Sequence, residues 1–405
     1  MANDSIKDIK VRKILDSRGG FTVEVTVSSA KNSASAAVAN STSTGSHEVF
    51  AFPDGNVDLG ISNFEEVKKG LLGLDAHDQR RIDSTLHEIG GERFGVIGGN
   101  ISTGVSIAAA KLAAKSEGVE LYDYVYENFT KRFGVKKHIP RPLGNLIGGG
   151  AHSKNKMSIQ EILISPKGVS FAEGIHINAM VHKSLEEYIS KELAIPAGVN
   201  IEGAWVTGLG DQENLDLADE MAGTVDAIGV DVQLGADFAA SEFFKDGRYV
   251  YGDRKLDPLQ NIDFVAKLAD DFELAVVEDP MNEDDFSGFA GITKKIGGKS
   301  LVVGDDLYTT NNGRVEQGVK SKSTNGVLIK VNQIGTLCDT LDVIALAHRS
   351  GMKTVVSHRS RETTDSFISH LAVAFGSEFI KTGIVGGERV AKLNELARIE
   401  ELETR

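Results

Sequence analysis

The sequence lacks the cysteine pairs and the long apolar segments that are typical of secreted and membrane proteins. Of its 405 residues only Cys338 is a cysteine, so no disulfide can form within the chain. Such cysteine usage fits a reducing cytoplasm. No apolar run reaches the roughly 20 residues that cross a bilayer, and the N-terminal residues MANDSIKDIK lack the apolar region of a secretory signal. We therefore expect a cytoplasmic protein without a membrane span.

Positive charge is also scarce, because 44 Lys and Arg residues face 58 Asp and Glu residues, which gives a net charge of −14. This balance disfavours a protein with a basic face for phosphate backbones, so we expect no nucleic-acid partner. A small anionic substrate would need local cations or a divalent metal to offset that field. The hydrophobic fraction of 41% and the charged fraction of 25% are ordinary for a globular protein, and the length allows two domains.

Residues 1–130 are predicted to form an α+β domain. Residues 5–38 contain three alternating, β-branched stretches, and residues 16–20 between the first two have the composition of a turn, so a small antiparallel meander is expected. Helical patterns follow up to about residue 130. Residues 39–48 are rich in small hydroxyl side chains; composition alone favours a solvated linker, and a mobile functional loop is the alternative.

Residues 131–405 are predicted to form an α/β domain, a (β/α)8-type barrel, beyond a basic and proline-ended boundary at 131–140. Six short runs rich in Val, Ile or Leu each end in a polar residue, and runs of this kind are typical of fully buried parallel strands. Intervals such as 305 to 330 and 358 to 381 match one strand, one helix and their loops. The C-terminal strand ends of such a barrel form the active-site floor. They are Asp237, Glu278, Asp305, Lys330, His358 and Lys381.

Three of these ends, Asp237, Glu278 and Asp305, would converge if the barrel closes. Three carboxylates without a nearby His or Cys suit a hard cation, and magnesium is the default ion. The alternative is that each acid only caps the following helix, which is adequate for one strand end but poor for three successive ones. Asp279 and Asp306 are interpreted as supporting or capping residues, since adjacent side chains of a strand point to opposite faces.

The cationic strand ends are Lys330 and Lys381. A lysine near a metal and a second lysine, with little water, is expected to have a lowered pKa and to serve as a base. The alternative is a buried salt-bridge partner of the acids. His358, Arg359 and Ser360 offer a ring, a forked cation and a hydroxyl to a phosphate or carboxylate. With the metal, this set indicates proton abstraction next to a carboxylate, because the metal would stabilise the resulting enediolate.

At these residues the sequence resembles the enolase family over essentially its whole length. Ala204-Trp205 and the stretch VGGER resemble the archaeal branch. The resemblance implies a barrel of the enolase kind with an N-terminal α+β domain, usually in a homodimer or larger oligomer, and the reversible dehydration of 2-phosphoglycerate to phosphoenolpyruvate. The matching stretches include LIKVNQIGTL, SHRS, VEDP, ILDSRGGFTVEV, STSTGSHE, GVSIAAAK, QEILI, GDDLYTTN, IKTG and ERVAKLNELARIEE.

The resemblance also implies roles for the strand ends. Asp237, Glu278 and Asp305 would hold the first of two magnesium ions, the second arriving with substrate. Lys330 would remove the C2 proton, and Lys381 would hold the substrate carboxylate and assist catalysis.

Other matched residues surround these strand ends and are expected to contact the substrate or the second ion. Glu202, supported by Glu161, would help the C3 hydroxyl to leave, and His152, Gln160 and His358 would line the pocket. Arg359 and Ser360 would bind the phosphate, and Ser43 would close over the second magnesium ion.

Five places depart from the family pattern. Residues 39–45 read ANSTSTG where the usual loop is roughly Pro-Ser-Gly-Ala-Ser-Thr-Gly, and residues 52–54 read FPD in place of Leu-Arg-Asp. Ile201 replaces an aspartate, Arg361 a glycine and Thr364 an acid. Because several of these places are expected close to the substrate, two alternatives stay open. One is a paralogue acting on a related phosphonate or phospho-acid, and the other is a non-catalytic binding protein on the same fold.

Overall fold

The computed structural model describes residues 4–42, 45–150, 153, 156–193, 195–225 and 229–404. Its strands form one three-stranded antiparallel sheet, one closed eight-stranded barrel and one small three-stranded sheet. The strands are β1 (Asp8–Leu15), β2 (Phe21–Ser28), β3 (Ser33–Ala37), β4 (Arg141–Gly148), β5 (Glu161–Lys167), β6 (Asp231–Asp237), β7 (Phe244–Lys245), β8 (Arg248–Tyr251), β9 (Arg254–Leu256), β10 (Val276–Glu278), β11 (Leu301–Gly304), β12 (Gly326–Ile329), β13 (Lys353–Ser357) and β14 (Phe379–Lys381).

The helices cover the sheet and surround the barrel. Within the described residues, no helix combines the length and the apolarity that crossing a lipid bilayer requires. The helices are α1 (Val57–Val67), α2 (Gln79–Gly90), α3 (Gly99–Glu117), α4 (Leu121–Val125), α5 (Phe171–Lys191), α6 (Asp211–Gly223), α7 (Pro258–Asp271), α8 (Phe286–Ile296), α9 (Asn312–Ser321), α10 (Val331–Ile334), α11 (Leu337–Arg349), α12 (Phe367–Ala374) and α13 (Gly387–Glu403).

The N-terminal sheet is the predicted meander, with strand order β1-β2-β3 and antiparallel pairing throughout. Its turn at residues 16–20 is closed by Asp16, whose Oδ1 accepts the N–H groups of Arg18 and Gly20 at 2.8 and 3.0 Å. Helix α3 packs against β2 and β3 and is buried over most of its length. Gly104 permits this close approach, because a Cβ there would lie 2.4 Å from Val25 Cγ2.

The barrel closes in the order β4-β5-β6-β10-β11-β12-β13-β14, with β14 returning to pair with β4. A buried cluster of apolar side chains, contributed by every barrel strand except β6, lies in its interior. Charged residues of the barrel strands stand at the strand ends, as expected for strands buried on both faces. The interior side chains are Leu143, Leu163, Val276, Val303, Leu328, Val355 and Phe379.

One barrel strand runs against the others, which the sequence did not predict. Strand β5 pairs antiparallel with both β4 and β6, whereas the remaining neighbours are parallel. The connection from β4 to β5 covers only residues 149–160, at the lower limit for a crossover that must include a helix. Reversal brings Glu161, the first residue of β5, opposite Asp237, the last residue of β6. Glu161 therefore lies at the same rim as the C-terminal ends of the other strands.

The single cysteine lies in this barrel domain. Cys338 is in α11 and is buried, with 7% of its surface exposed. Burial raises the pKa of its thiol, and so does the nearby carboxylate of Asp83. The interpretation of Cys338 as a small core residue, rather than as a nucleophile, agrees with both observations.

Candidate active site

All six strand-end residues identified in the sequence lie at one rim of the barrel. Asp237, Glu278 and Lys381 are the last residues of β6, β10 and β14. Asp305 and Lys330 directly follow β11 and β12, and His358 follows β13. The barrel rim therefore gathers three carboxylates, two ammonium groups and one imidazole.

Lys381 lies at the centre of three carboxylates. Its Nζ is 2.8 Å from Asp237 Oδ2, 2.8 Å from Glu278 Oε2 and 3.0 Å from Glu161 Oε2. Its side chain is 4% exposed. Burial alone would lower the pKa of Lys381, but the charges of the three acids outweigh it and hold the pKa well above its ordinary value. Burial and the charge of Asp237 raise the pKa of Glu278. The group is a buried, mutually compensated cluster.

Lys330 pairs with one acid of the rim. Its Nζ lies 2.5 Å from Asp305 Oδ2, and Gln333 Nε2 donates to Asp305 Oδ1 at 3.0 Å. Burial favours a lowered pKa for Lys330, but the charge of Asp305 prevails and the pKa is raised. The sequence had predicted a lowered pKa for Lys330, because a metal and a second lysine were expected as its neighbours and a carboxylate in direct contact was not. The arrangement of Lys330 and Asp305 is the buried salt bridge that the sequence analysis gave as the alternative to a base.

Asp279 supports the segment that carries Asp305. Its two carboxylate oxygens accept the backbone N–H groups of Asp305 and Asp306 at 2.9 and 2.7 Å, in agreement with a supporting role. Asp279 also adopts a positive φ of 40°, as do Ala239 and Thr309 after neighbouring strands. Strained backbone of this kind concentrates at functional sites. Burial and Asp305 raise the pKa of Asp306 to about 8.

Two observations indicate that the acids of the rim are suited to bind a hard cation. Oxygens of Asp279, Asp305 and Asp306 lie within 4.8 Å of one another, close enough to share an ion. Glu278 Oε1 is buried and has no hydrogen-bond partner in the described part of the chain. A buried carboxylate oxygen left without a donor is an available ligand, and an all-oxygen set suits magnesium or calcium rather than a softer metal.

His358 and Glu202 form a second buried pair beside the lysines. His358 Nε2 lies 3.3 Å from Glu202 Oε2, and Asn145 Nδ2 donates to the same oxygen at 3.3 Å. Both side chains are 3% exposed. Burial, and then the positive charge of Arg389, lower the pKa of His358 to about 4, so its ring is neutral near pH 7.

The two candidate phosphate-binding residues contact the N-terminal domain. Arg359 Nη2 donates to Glu48 Oε2 at 2.9 Å, and its Nη1 donates to Asn332 Oδ1 at 3.2 Å. Ser360 Oγ lies 2.7 Å from Thr42 Oγ1 and accepts the Thr42 N–H at 3.0 Å. The residues that follow β13 therefore lie between the barrel rim and the segment after β3.

One pocket joins these groups. Gln160, predicted within a strand, lies just before β5 and donates its Nε2 to Asp237 Oδ2 at 3.5 Å. Ser43 and His152 lie outside the described residues. The pocket is lined by Ser41, Glu48, Gln160, Glu161, Glu202, Asp237, Ala239, Glu242, Asp279, Asp305, Asp306, Lys330, Ser357, His358, Arg359, Ser360 and Lys381.

Glu48 is a pocket residue that sequence reasoning missed. It is 5% exposed, and its carboxylate pairs with Arg359 and accepts the Gly45 N–H at 3.1 Å. The one available signal was its place at the end of the stretch STSTGSHE, which matches the enolase pattern.

Four of the five departures from the family pattern are not part of the pocket lining, in contrast to the expectation that several would approach the substrate, whereas residues 39–45 reach the pocket through Ser41. Arg361 turns its guanidinium to Asp16, with Nη2 2.7 Å from Oδ2. Pro53 is buried in a short turn, and Thr364 is exposed. Arg361, Pro53, Ile201 and Thr364 are not part of the lining formed by the described residues. These four departures therefore do not support the alternative of a paralogue with another substrate.

Comparison with known proteins covers nearly the whole chain. A family model described as the enolase N-terminal domain matches residues 6–125, and one described as the enolase C-terminal TIM barrel domain matches residues 136–404. The enolase of Picrophilus torridus is 47% identical over 98% of this chain and 99% of its own length. The enolase of Thermoplasma acidophilum is 47% identical over 98% of each chain, and that of Methanocorpusculum labreanum 45% over 98% and 99%. All three organisms are archaea.

Proposed function

The chain belongs to the enolase family, and we propose which of its residues perform the reversible dehydration of 2-phospho-D-glycerate to phosphoenolpyruvate. The enzyme is a phosphopyruvate hydratase, a lyase of glycolysis. Our assignment rests on one observation: at the buried rim, Lys330 contacts Asp305 and Lys381 contacts Asp237. A base and an anion-binding cation next to metal-binding acids are what proton removal beside a carboxylate requires.

Enolases use a metal, and we propose magnesium as the ion in this chain. Asp237, Glu278 and Asp305 would hold the first ion; the buried Oε1 of Glu278, without a donor among the described residues, supports this assignment. Asp306 adds a further carboxylate next to Asp305, and Ser43 is proposed for a second ion that arrives with substrate. When bound, magnesium stabilises the negative charge that develops on the substrate carboxylate.

Lys330 is the proposed base. Its Nζ would take the proton from C2 of 2-phosphoglycerate and return it in the reverse direction. The ammonium must first lose a proton, and contact with Asp305 opposes that loss. The carboxylate of Asp305 therefore has to be engaged elsewhere in the active enzyme, as it would be if it served as a metal ligand. Burial, which favours the neutral amine, then acts without opposition from this acid.

Glu202 is the proposed acid for the second bond. Its carboxyl group would give a proton to the C3 hydroxyl as the C3–O bond breaks, so that the hydroxyl leaves as water. Neutral His358 at 3.3 Å and Asn145 orient this carboxyl group. Glu161 would support it from the start of β5, where its charge also holds Lys381.

The remaining rim residues would bind the substrate's two anionic ends. Lys381, freed in part from its three acids by the metal, would contact the carboxylate. Arg359 and Ser360 would bind the phosphate, with Gln160, His152 and His358 lining the pocket. A forked guanidinium and a hydroxyl match the oxygens of a phosphate.

We also propose that the enzyme works in the cytoplasm as a homodimer or larger oligomer. A single buried cysteine supports a reducing compartment. Exposed apolar side chains on the N-terminal sheet, such as Leu15 and Phe21 at 62% and 51%, support association. Sedimentation of the purified protein measures the oligomeric state directly.

An assay of phosphoenolpyruvate formation tests the proposal. Purified protein with 2-phosphoglycerate and magnesium should form phosphoenolpyruvate, and EDTA should abolish the reaction until magnesium is restored. Lys330→Ala should lower kcat by about 10³- to 10⁴-fold, the upper range for a general base. The matched control is Lys294→Ala, which removes an exposed lysine from α8. Absence of product at millimolar substrate would refute the function, and an active Lys330→Ala variant would refute the assignment of the base.

A further inference from the structure

The turn at residues 16–20 of the N-terminal sheet contacts the residues that follow the proposed phosphate-binding pair. Ser17 N–H donates to Glu362 O at 2.8 Å, and Glu362 N–H donates to Ser17 Oγ at 3.1 Å. Neither residue is among those that line the pocket, but Glu362 lies two positions after Ser360 and its Oε1 accepts the N–H of Arg359 at 3.0 Å. The turn is therefore placed to influence the phosphate-binding pair without touching a substrate.

Arg361 makes the charged part of this contact. Its Nε and Nη2 lie 2.8 and 2.7 Å from Asp16 Oδ2. The Asp16 side chain is fully buried, whereas that of Arg361 is 25% exposed. The other oxygen of Asp16 already accepts two N–H groups of the turn. A guanidinium held by a buried and otherwise satisfied carboxylate has little freedom to move.

Gly20 provides the space that the guanidinium occupies. A Cβ built on Gly20 would lie 1.5 Å from Arg361 Nη2 and 2.7 Å from its Cζ. Any other residue at position 20 would therefore push Arg361 away from Asp16. The two positions are complementary, although they belong to different domains.

Backbone hydrogen bonds connect Arg361 to the segment at residues 39–42. Asn40 N–H donates to Arg361 O at 2.8 Å, and Arg361 N–H donates to Asn40 O at 3.3 Å. Two residues further along that segment, Thr42 bonds to Ser360 Oγ through both its N–H and its hydroxyl. Movement of Arg361 would thus displace the partner that orients the Ser360 hydroxyl.

We propose that Arg361, anchored on Asp16 across Gly20, is a positioning residue for phosphate binding by Ser360 and its neighbour Arg359. This inference rests on the proposed function, which assigns the phosphate to that pair. Arg361 contacts no reacting group itself. Its loss should therefore weaken the binding of 2-phosphoglycerate while the chemical step at Lys330 continues.

Steady-state kinetics on four proteins test the inference: the wild type, Arg361→Ala, Gly20→Ala and the double variant. Each single change should raise KM for 2-phosphoglycerate by about tenfold, the value of one charge-assisted hydrogen bond, and leave kcat within about twofold. The double variant should be no worse than either single variant, because both remove the same contact. Arg361→Lys should recover part of the loss.

The matched control is Arg398→Ala. Arg398 also reaches across the domains, to Glu120 Oε2 at 2.9 Å, but far from the pocket; its KM should stay that of the wild type. Unchanged KM in Arg361→Ala, or effects of the two single changes that multiply in the double variant, would overturn the inference. An inactive wild type would instead count against the proposed function.

Hydrogen–deuterium exchange gives a readout that needs no activity. Peptides that contain Asn40 and Arg361 should exchange faster in Arg361→Ala and Gly20→Ala than in the wild type, since their mutual N–H···O bonds loosen. Arg398→Ala should leave both peptides unchanged. Equal exchange in all variants would contradict the inference whatever the enzyme's activity.

Discussion

The floor of the pocket and its phosphate-binding side are built differently. On the floor, Lys381 and its three acids come from strands of one barrel, and their partners are one another. On the other side, Arg359 and Ser360 come from the barrel but find their partners, Glu48 and Thr42, in the N-terminal domain. The geometry of the floor therefore follows from barrel topology, and that of the phosphate side depends on how two domains pack.

This comparison predicts separable effects. Changes in the floor should remove chemistry or metal binding. Changes at the domain contact should alter stability or substrate binding and leave the chemical step in place.

The largest effect should follow from a change in the floor. Asp305→Asn should lower kcat/KM by about a thousandfold, because a catalytic metal contributes several kcal/mol. It should also abolish the rise in melting temperature that magnesium gives the wild type, since an ion that binds only the folded state stabilises it. The control is Asp263→Asn, which removes an exposed acid paired with Lys295. A magnesium-dependent rise that survives in Asp305→Asn would remove this residue from the ligand set.

A smaller effect should follow from a change on the phosphate side. Glu48→Gln leaves Arg359, 5% exposed, without its carboxylate. Breaking a buried ion pair costs about 3 kcal/mol or more, and urea denaturation in the presence of magnesium measures this loss. Glu24→Gln is the matched control: its arginine, Arg12, is largely exposed, so water screens the pair and the loss should be much smaller. Similar losses in both variants would show that Glu48 and Arg359 are not held as the structure has them.

The smallest effect should come from a domain contact remote from the pocket. Asp83 of α2 accepts the N–H of Cys338 at the start of α11, at 2.9 Å. Burial raises its pKa from 3.8 to about 6. The folded state thus favours the protonated acid, and the stability that Asp83 contributes is lost as the pH rises from about 4 to about 6.

Asp83→Asn should therefore gain stability relative to the wild type over that pH range, by up to about 3 kcal/mol at about 1.4 kcal/mol per pKa unit. KM should not change, because this contact does not reach the phosphate side. Glu88→Gln, at an exposed acid on the same helix, gives the effect of removing one charge without burial. A stability difference that stays constant from pH 4 to pH 7 would contradict the raised pKa.

The floor could be predicted from the sequence for a local reason. A strand buried on both faces tolerates polar residues only where it ends, so each apolar run marks its own functional position. Asp237, Glu278 and Lys381 end their strands as expected, and the barrel itself is confirmed. The catalytic roles given to these residues remain predictions.

The phosphate side could not be predicted from local patterns. Arg359 and Glu48 are 311 positions apart, and Arg361 and Asp16 are 345 apart. No periodicity links residues at such distances, so the contact of Arg361 with Asp16 was not predicted and Glu48 was missed. The direction of β5 was missed for a related reason: alternation identifies a strand but carries no information about its orientation.

The pKa of Lys330 shows the same limit at short range. The sequence placed a lysine in a pocket with a metal and a second lysine, and both favour the neutral amine. It did not reveal that Asp305 would lie 2.5 Å away. At such a distance one opposite charge outweighs burial.

Exchange of the C2 hydrogen of 2-phosphoglycerate in D2O tests the central assignment most directly. The wild type and Glu202→Gln should both exchange it, although Glu202→Gln should form little phosphoenolpyruvate, because the base remains and only the acid is lost. Lys330→Ala should neither exchange the hydrogen nor form product. Exchange by Lys330→Ala at the wild-type rate would show that another group removes the proton and would contradict this account of the pocket floor.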